Sequence, residues 1–170
     1  QLAGNTKTKL RIMWAYYSCF PNQESWLLQR LSEPNEHLRA WAVRLLTDGR
    51  ISISDSGLER ILQTAQEDES GLVRLYLASS IPRFDPDFGH RLTAELAKKS
   101  QDASDRVQPK LIWYGYESIA NLLPNRAVDL AFDSNIPLLS QNIARRLTFN
   151  IQSAPQTVDK LTAKLRNQSP

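Results

Sequence analysis

Apolar residues recur along the chain at intervals of three and four, the period of a helix with one buried face. Leu38, Trp41, Ala42, Leu45 and Leu46 mark one such face, and Val73, Tyr76, Leu77, Ser80 and Ile81 repeat it. Leu10, Met13, Trp14 and Tyr17 give an earlier copy, and Val107, Leu111, Tyr114 and Ile119 a later one. Shorter faces lie between them: Leu27, Leu28 and Leu31; Leu58, Ile61, Leu62 and Ala65; Leu92 and Leu96; Val128, Ala131 and Phe132. Helices are predicted over roughly 7–18, 23–32, 36–47, 55–67, 71–81, 86–100, 107–122, 125–134, 136–149 and 156–168. Ile51-Ser52-Ile53-Ser54 alternates with a strand's period, but it is too short for a sheet and falls in a linker. The expected fold class is all-α.

Prolines agree with this division, because proline is tolerated in the first turn of a helix and expelled from its interior. Pro86, Pro109, Pro124, Pro137 and Pro155 are placed at helix starts, and Pro21 and Pro82 at helix ends. Asp85 and Asn135 are expected as N-caps, and Gly49 as a C-terminal glycine.

The faces also repeat at longer range. An acidic or amide residue precedes an aliphatic helix start by five positions at Asn5–Leu10, Glu33–Leu38, Asp68–Val73, Asp102–Val107 and Asp133–Leu138, with steps of 28, 35, 34 and 31 residues. The last copy has drifted: Gln141, Asn142 and Arg145 follow Leu138, while the apolar face runs through Ile136, Leu139, Ile143 and Leu147. A period of this length marks stacked helical hairpins, each covering the face its neighbour leaves open. With an acidic residue ahead of a Val/Leu-Arg helix start, the pattern resembles HEAT repeats, best over 33–46, 68–81 and 102–119. That resemblance implies one domain over residues 1–170, a right-handed α-α superhelix of about five hairpins whose second helices line one surface. It further implies that Glu33, Asp68 and Asp102 with Arg39 and Arg74 link neighbouring repeats by hydrogen bonds; Gln108 departs from the arginine pattern.

Composition narrows the function classes. The 170 residues are 41% hydrophobic and 23% charged, within the globular range, and the net charge of +3 is mild. No run approaches the roughly 20 apolar residues of a membrane-spanning helix, so no membrane insertion is expected. One cysteine, Cys19, excludes an internal disulfide, a CxxC metal site and a CxxCH haem attachment in this chain. With no nearby histidine or basic residue to activate it, Cys19 is expected to be a buried, inert thiol. His37 and His90 lack a second ligand at metal spacing and are read as surface or capping residues, with no metal expected. The run Glu67-Asp68-Glu69 is read as loop charges that solvate and cap. There is no Gly-rich phosphate loop, HExxH or GxSxG, so no catalytic residue is assigned. The chain opens on Gln1 and is expected to be a piece of a longer protein.

Eight of the nine Trp and Tyr residues fall on the proposed second helices; only Trp26 lies on a first helix. Successive helical residues point about 100° apart, so Trp113, Tyr114 and Tyr116 cannot all face one core. Their outward members, with Arg44 and Lys110 as rim charges, are the candidate partner contacts. Basic residues on the same helices (Arg39, Arg44, Arg74, Lys110, Arg145, Arg146) raise a rival, a nucleic-acid groove of the kind found in helical-repeat alkylpurine DNA glycosylases. The mild net charge weighs against it.

From Trp26 to about Leu147, notably Glu36-His37-Leu38-Arg39-Ala40-Trp41-Ala42-Val43-Arg44-Leu45-Leu46, Val73-Arg74-Leu75-Tyr76-Leu77-Ala78 and Leu111-Ile112-Trp113-Tyr114, the chain is similar to the helical middle region of planctomycete-type exported proteins of the membrane-bound or L-sorbosone-type dehydrogenase class. In that family a sugar-dehydrogenase-like β-propeller precedes the helices and a c-type cytochrome follows. The resemblance implies a periplasmic or exported parent dehydrogenase with haem c outside this chain. Here it leaves a non-catalytic scaffold without a cofactor, whose partner is a protein or a neighbouring domain.

Overall fold

Helix starts in this chain are set by short polar side chains that accept backbone N–H groups the helix itself cannot satisfy. Asn5 accepts from Thr8 N at 3.0 Å, Asn35 from His37 N at 3.0 Å, Ser54 from Gly57 N at 3.2 Å, Ser70 from Val73 N at 3.3 Å and Asp85 from Phe88 N at 3.0 Å. The structure is a computed structural model that describes residues 5–20, 22–149 and 155–168. Among the described residues there are ten α-helices and no strand. They are α1 Thr6–Cys19, α2 Glu24–Arg30, α3 Glu36–Leu46, α4 Asp55–Glu67, α5 Gly71–Ser80, α6 Pro86–Ala97, α7 Gln108–Leu122, α8 Pro124–Asp133, α9 Pro137–Phe149 and α10 Pro155–Gln168. The all-α expectation holds, and every helix predicted from periodicity is present.

Proline opens α6, α8, α9 and α10 and is the second residue of α7, while Pro82 lies in the 3-10 turn Ile81–Arg83 that ends α5. Pro21 lies outside the described residues. Gly49, three residues past α3, has φ +90°, a conformation few other residues adopt. Asn135 does not cap α9 as expected. Its side chain donates to Lys98 O at 2.9 Å and its backbone N–H to Ala97 O at 2.8 Å, tying the α8–α9 link to the end of α6. Ser134 Oγ accepts from Ile136 N at 3.0 Å, just before α9 begins.

The chain forms two compact units that divide between Arg83 and Phe84. In the first, α3 packs against both α1 and α5, and α2 against α3 and α4. Met13, Leu27, Leu38, Leu46, Ile61, Leu77 and Ile81 are wholly buried there. In the second, α7 packs against α6, α8 and α9, and α10 against α8 and α9, around Leu92, Leu96, Ile112, Tyr116, Val128, Ile136, Leu139 and Ile143. Burying one such large aliphatic side chain contributes about 1.5–3 kcal/mol.

One phase expectation is overturned. Val107 and Tyr114, read as core positions of the fourth copy, are 52% and 68% exposed, and Gln108 is buried instead. The cause is a single residue. The capping side chains Asn35, Ser70 and Asp105 step by 35 each time, and Asp105 accepts from both Val107 N and Gln108 N at 2.7 Å. The anchoring acids Glu33 and Asp68 lie two residues before their caps, but Asp102 lies three before. Counting from the acid therefore turns the fourth helix by one residue, about 100°. Counted from the cap, Leu38, Ala42, Leu45 and Leu46 correspond to Val73, Leu77, Ser80 and Ile81, and then to Gln108, Ile112, Gly115 and Tyr116; all are buried.

Candidate interaction surface

Of the residues expected to link repeats, Glu33 and Asp68 meet at Arg39. Its guanidinium forks onto Asp68, Nε to Oδ2 at 2.7 Å and Nη2 to Oδ1 at 2.9 Å, while Nη1 donates to Glu33 O at 2.9 Å and Pro34 O at 3.0 Å. The planar fork matches the carboxylate, so position and direction are both fixed. Asp68 also accepts Ser70 N at 2.9 Å, which sets up the cap of α5. Burial pushes the Asp68 carboxyl up, but the Arg39 and Ser70 hydrogen bonds and the Arg39 and Arg74 charges outweigh it and hold the group below its usual range. The same bond raises the Arg39 guanidinium against its own burial. Asp68 thus holds Arg39 and the start of α5 together, beyond the solvating and capping part read for the run Glu67-Asp68-Glu69.

Arg74, one repeat on, is buried and donates Nη1 to Asp68 O at 3.1 Å. Gln108 lies in a slot that is aliphatic in the other copies, and its Nε2 donates to the buried Asp102 Oδ2 at 3.1 Å. Glu33 carries its side chain to Arg30 Nη1 at 2.8 Å. Beside the Arg39–Asp68 pair lies an open notch of about 340 Å³ edged by Arg60, Glu67 and Glu69. Arg60 is engaged there with Gln63 Oε1 and Ser32 Oγ, both at 2.8 Å.

The aromatic residues sort differently from the sequence expectation. Trp14 of α1 meets Trp41 of α3 edge-on, with ring centroids 4.7 Å apart, and Trp41 meets Tyr76 of α5 at 6.4 Å. These three were read as core, yet Trp14 is 38% exposed and Trp41 and Tyr76 are half-buried. They form a row of rings across three helices. The recurrence of a ring at Trp41 and Tyr76, 35 residues apart, was the available signal. Arg44 is exposed one turn beyond Trp41 on α3.

In the second unit Tyr114 is the outward ring, Trp113 is half-buried, and Lys110 is exposed one turn before Tyr114 on α7. Tyr116, a candidate contact, is fully buried and so is withdrawn from that role. Its hydroxyl lies 2.8 Å from His90 Nδ1. His90 is therefore a half-buried partner of Tyr116, not a surface or capping residue. Burial, then the Arg126 charge, holds the imidazole below its ordinary value, with Asp87 and Asp129 opposing. Burial pushes the Tyr116 phenol up.

Cys19 is exposed, contrary to expectation. The buried face of α1 is set by Met13 and Tyr17, and two further residues of rotation carry position 19 to the opposite side. No group of three His, Cys, Asp or Glu side chains among the described residues is placed to hold a metal ion. No described helix is long and apolar enough to cross a membrane. Comparison of the chain with family models, curated proteins and solved structures gave no match.

Proposed function

We propose that the chain is a non-catalytic helical-repeat scaffold whose α1, α3 and α5 hold a protein partner or a neighbouring domain. The Trp14–Trp41–Tyr76 row carries this proposal: large rings are costly to leave in water, and partly exposed Trp and Tyr beside arginine are the residues that anchor protein interfaces. The hairpins are taken to stack as a HEAT-like superhelix, a reading supported by the constant 35-residue step of Asn35, Ser70 and Asp105 and by the Arg39–Asp68 link across one step. The parent is taken to be an exported sugar-dehydrogenase–cytochrome protein, with redox chemistry and haem c in its other domains; the sequence resemblance supports this.

A photo-cross-linking amino acid at Tyr76 in cells, with Glu59 on α4 as the control position, tests the interaction. A scaffold gives discrete protein adducts, or intramolecular links to another domain, from position 76 and few from position 59. Equal or absent adducts would remove the proposal. Sugar oxidation or a Soret band from the pure chain would overturn its non-catalytic part.

A further inference from the structure

We infer that the segment held on α1, α3 and α5 is an acidic polypeptide with apolar side chains spaced about one helical turn apart. This rests on the scaffold proposal and names the chemistry of its partner. The helices that carry the ring row are lopsided in charge. α1 contains Lys7, Lys9 and Arg11 and no acid; α5 contains Arg74 and no acid; α3 contains Arg39 and Arg44 against Glu36 alone. Glu36 is itself engaged by the Ser70 hydroxyl. The alternating helices α2 and α4 are the reverse, with Glu24, Asp55, Glu59 and Glu67 against Arg30 and Arg60.

Arg39 and Arg74 are spent inside the repeat, but Lys7, Arg11 and Arg44 are exposed and in no ion pair among the described residues. Arg11 lies one turn before Trp14 and Arg44 one turn after Trp41, so cations stand on both sides of the ring row. An apolar strip rimmed by one sign of charge selects a partner of the opposite sign: the rings supply affinity, and the charges supply encounter rate and discrimination.

The ring geometry favours a polypeptide over a nucleic acid. Successive centroids are 4.7 and 6.4 Å apart with interplanar angles of 64° and 54°, so the row presents edges and tilted faces. A base inserted between two rings needs roughly twice the 3.4 Å stacking rise, and stacking needs flat platforms. Aliphatic side chains one turn apart along a helix, spaced by about 5.4 Å, match the ring spacing instead.

The test uses the full chain and three fluorescent probes. These are an 18-residue peptide with Leu and Phe at helical spacing among Glu and Asp, the same peptide with Lys at every acidic position, and an oligo(dT) of equal length. The acidic peptide is expected to bind at least about tenfold more tightly than the Lys peptide and the oligonucleotide. Its affinity is expected to fall about tenfold or more in Arg11→Glu/Arg44→Glu, whose melting curve should match the parent's because both positions are exposed, and in Trp14→Ala, which loses its edge contact with Trp41 and is assayed well below its own melting transition. Equal binding of the two peptides, no peptide binding, or no effect of the arginine reversals overturns the inference. Tighter binding of oligo(dT) overturns it in favour of a nucleic acid. If adducts still form from position 76 in any of these cases, the scaffold stands and only the partner's chemistry is wrong.

Discussion

The Arg39–Asp68 fork should show a measurable coupling across one 35-residue step, although single salt bridges usually contribute little. Exposed pairs contribute about 0–1 kcal/mol, whereas loss of one partner of a buried pair costs about 3–5 kcal/mol. The side chains here are 17% and 6% exposed, near the buried end of that range. Asp68→Ala removes two charge-assisted bonds from Arg39 and one from Ser70 N, but leaves the guanidinium its contacts to Glu33 O and Pro34 O. Because Arg39 is not orphaned, the expected cost is about 2–3 kcal/mol rather than the upper limit. Arg39→Met should cost about 2 kcal/mol, and the double variant should show a coupling of about 1–2 kcal/mol. Urea unfolding in a Trp113→Phe background confines the tryptophan signal to Trp14, Trp26 and Trp41 of the first unit. The Asp68 carboxyl is depressed in the folded chain, so its contribution is present above the unfolded pKa near 3.9 and is lost as pH falls through the lower folded value. Wild type and Asp68→Ala should therefore converge in acid. A coupling below about 0.3 kcal/mol, within the additivity of independent sites, would refute the link.

Other regions give sharper signs than magnitudes. At Gly57 an added Cβ would lie 2.2 Å from Glu24 Oε1 and 2.8 Å from Ile53 Cγ2, and Glu24 holds Ser54 N and Oγ at 2.8 and 2.7 Å. Gly57→Ala should therefore destabilise by about 1 kcal/mol in thermal melts despite a helix-propensity gain of similar size. That cost should shrink in a Glu24→Ala background; a stabilised single variant would sink the account. His90, whose imidazole is depressed in the folded state, contributes stability that is full above its unfolded pKa near 6.5 and lost as pH falls through the folded value. Wild type should lose more melting temperature than His90→Gln between about pH 7 and pH 5, and equal losses would be contrary evidence. Asp129 accepts Lys160 Nζ at 2.8 Å and Lys164 Nζ at 2.6 Å, yet is 44% exposed. Asp129→Asn should cost under about 1 kcal/mol by urea unfolding at low salt and almost nothing at 0.5 M, whereas a salt-independent loss would mean that the trio is not a surface feature.

Helix positions could be read from the sequence where independent signals coincide: periodicity, the Asp85 cap and Pro86 all point to one boundary at the start of α6. The phase of the fourth copy could not be read from its acid, because Asp102 slides by one residue without disturbing composition or period. The capping series Asn35, Ser70, Asp105 carried the right register, since a cap is fixed to the helix by the N–H groups it accepts, and an anchoring acid is not. His90–Tyr116 was out of reach for a different reason. The two residues are 26 positions apart on separate helices, and nothing local distinguishes a histidine that meets a buried phenol from one that meets water. The lack of an activating neighbour bears on the reactivity of Cys19 and not on its facing, which follows from the rotation past Tyr17.

The cap register also shows where the ring row stops. The slot filled by Trp41 and Tyr76 falls on Leu111 at the next 35-residue step, and the slot filled by Arg39 and Arg74 falls on Pro109. One repeat position thus loses its ring and its guanidinium together. The aliphatic slot of the same copy takes Gln108, whose amide can be buried only because the displaced Asp102 is there to accept from it at 3.1 Å. The one-residue slip of the acid and the amide in the core thus meet in one contact. Rings persist on that helix, but at Trp113 and Tyr114, out of the slot shared by α3 and α5. The ring slot in register is therefore confined to α3 and α5, and Trp14 of α1 meets Trp41 from another position, nine rather than six residues past its cap.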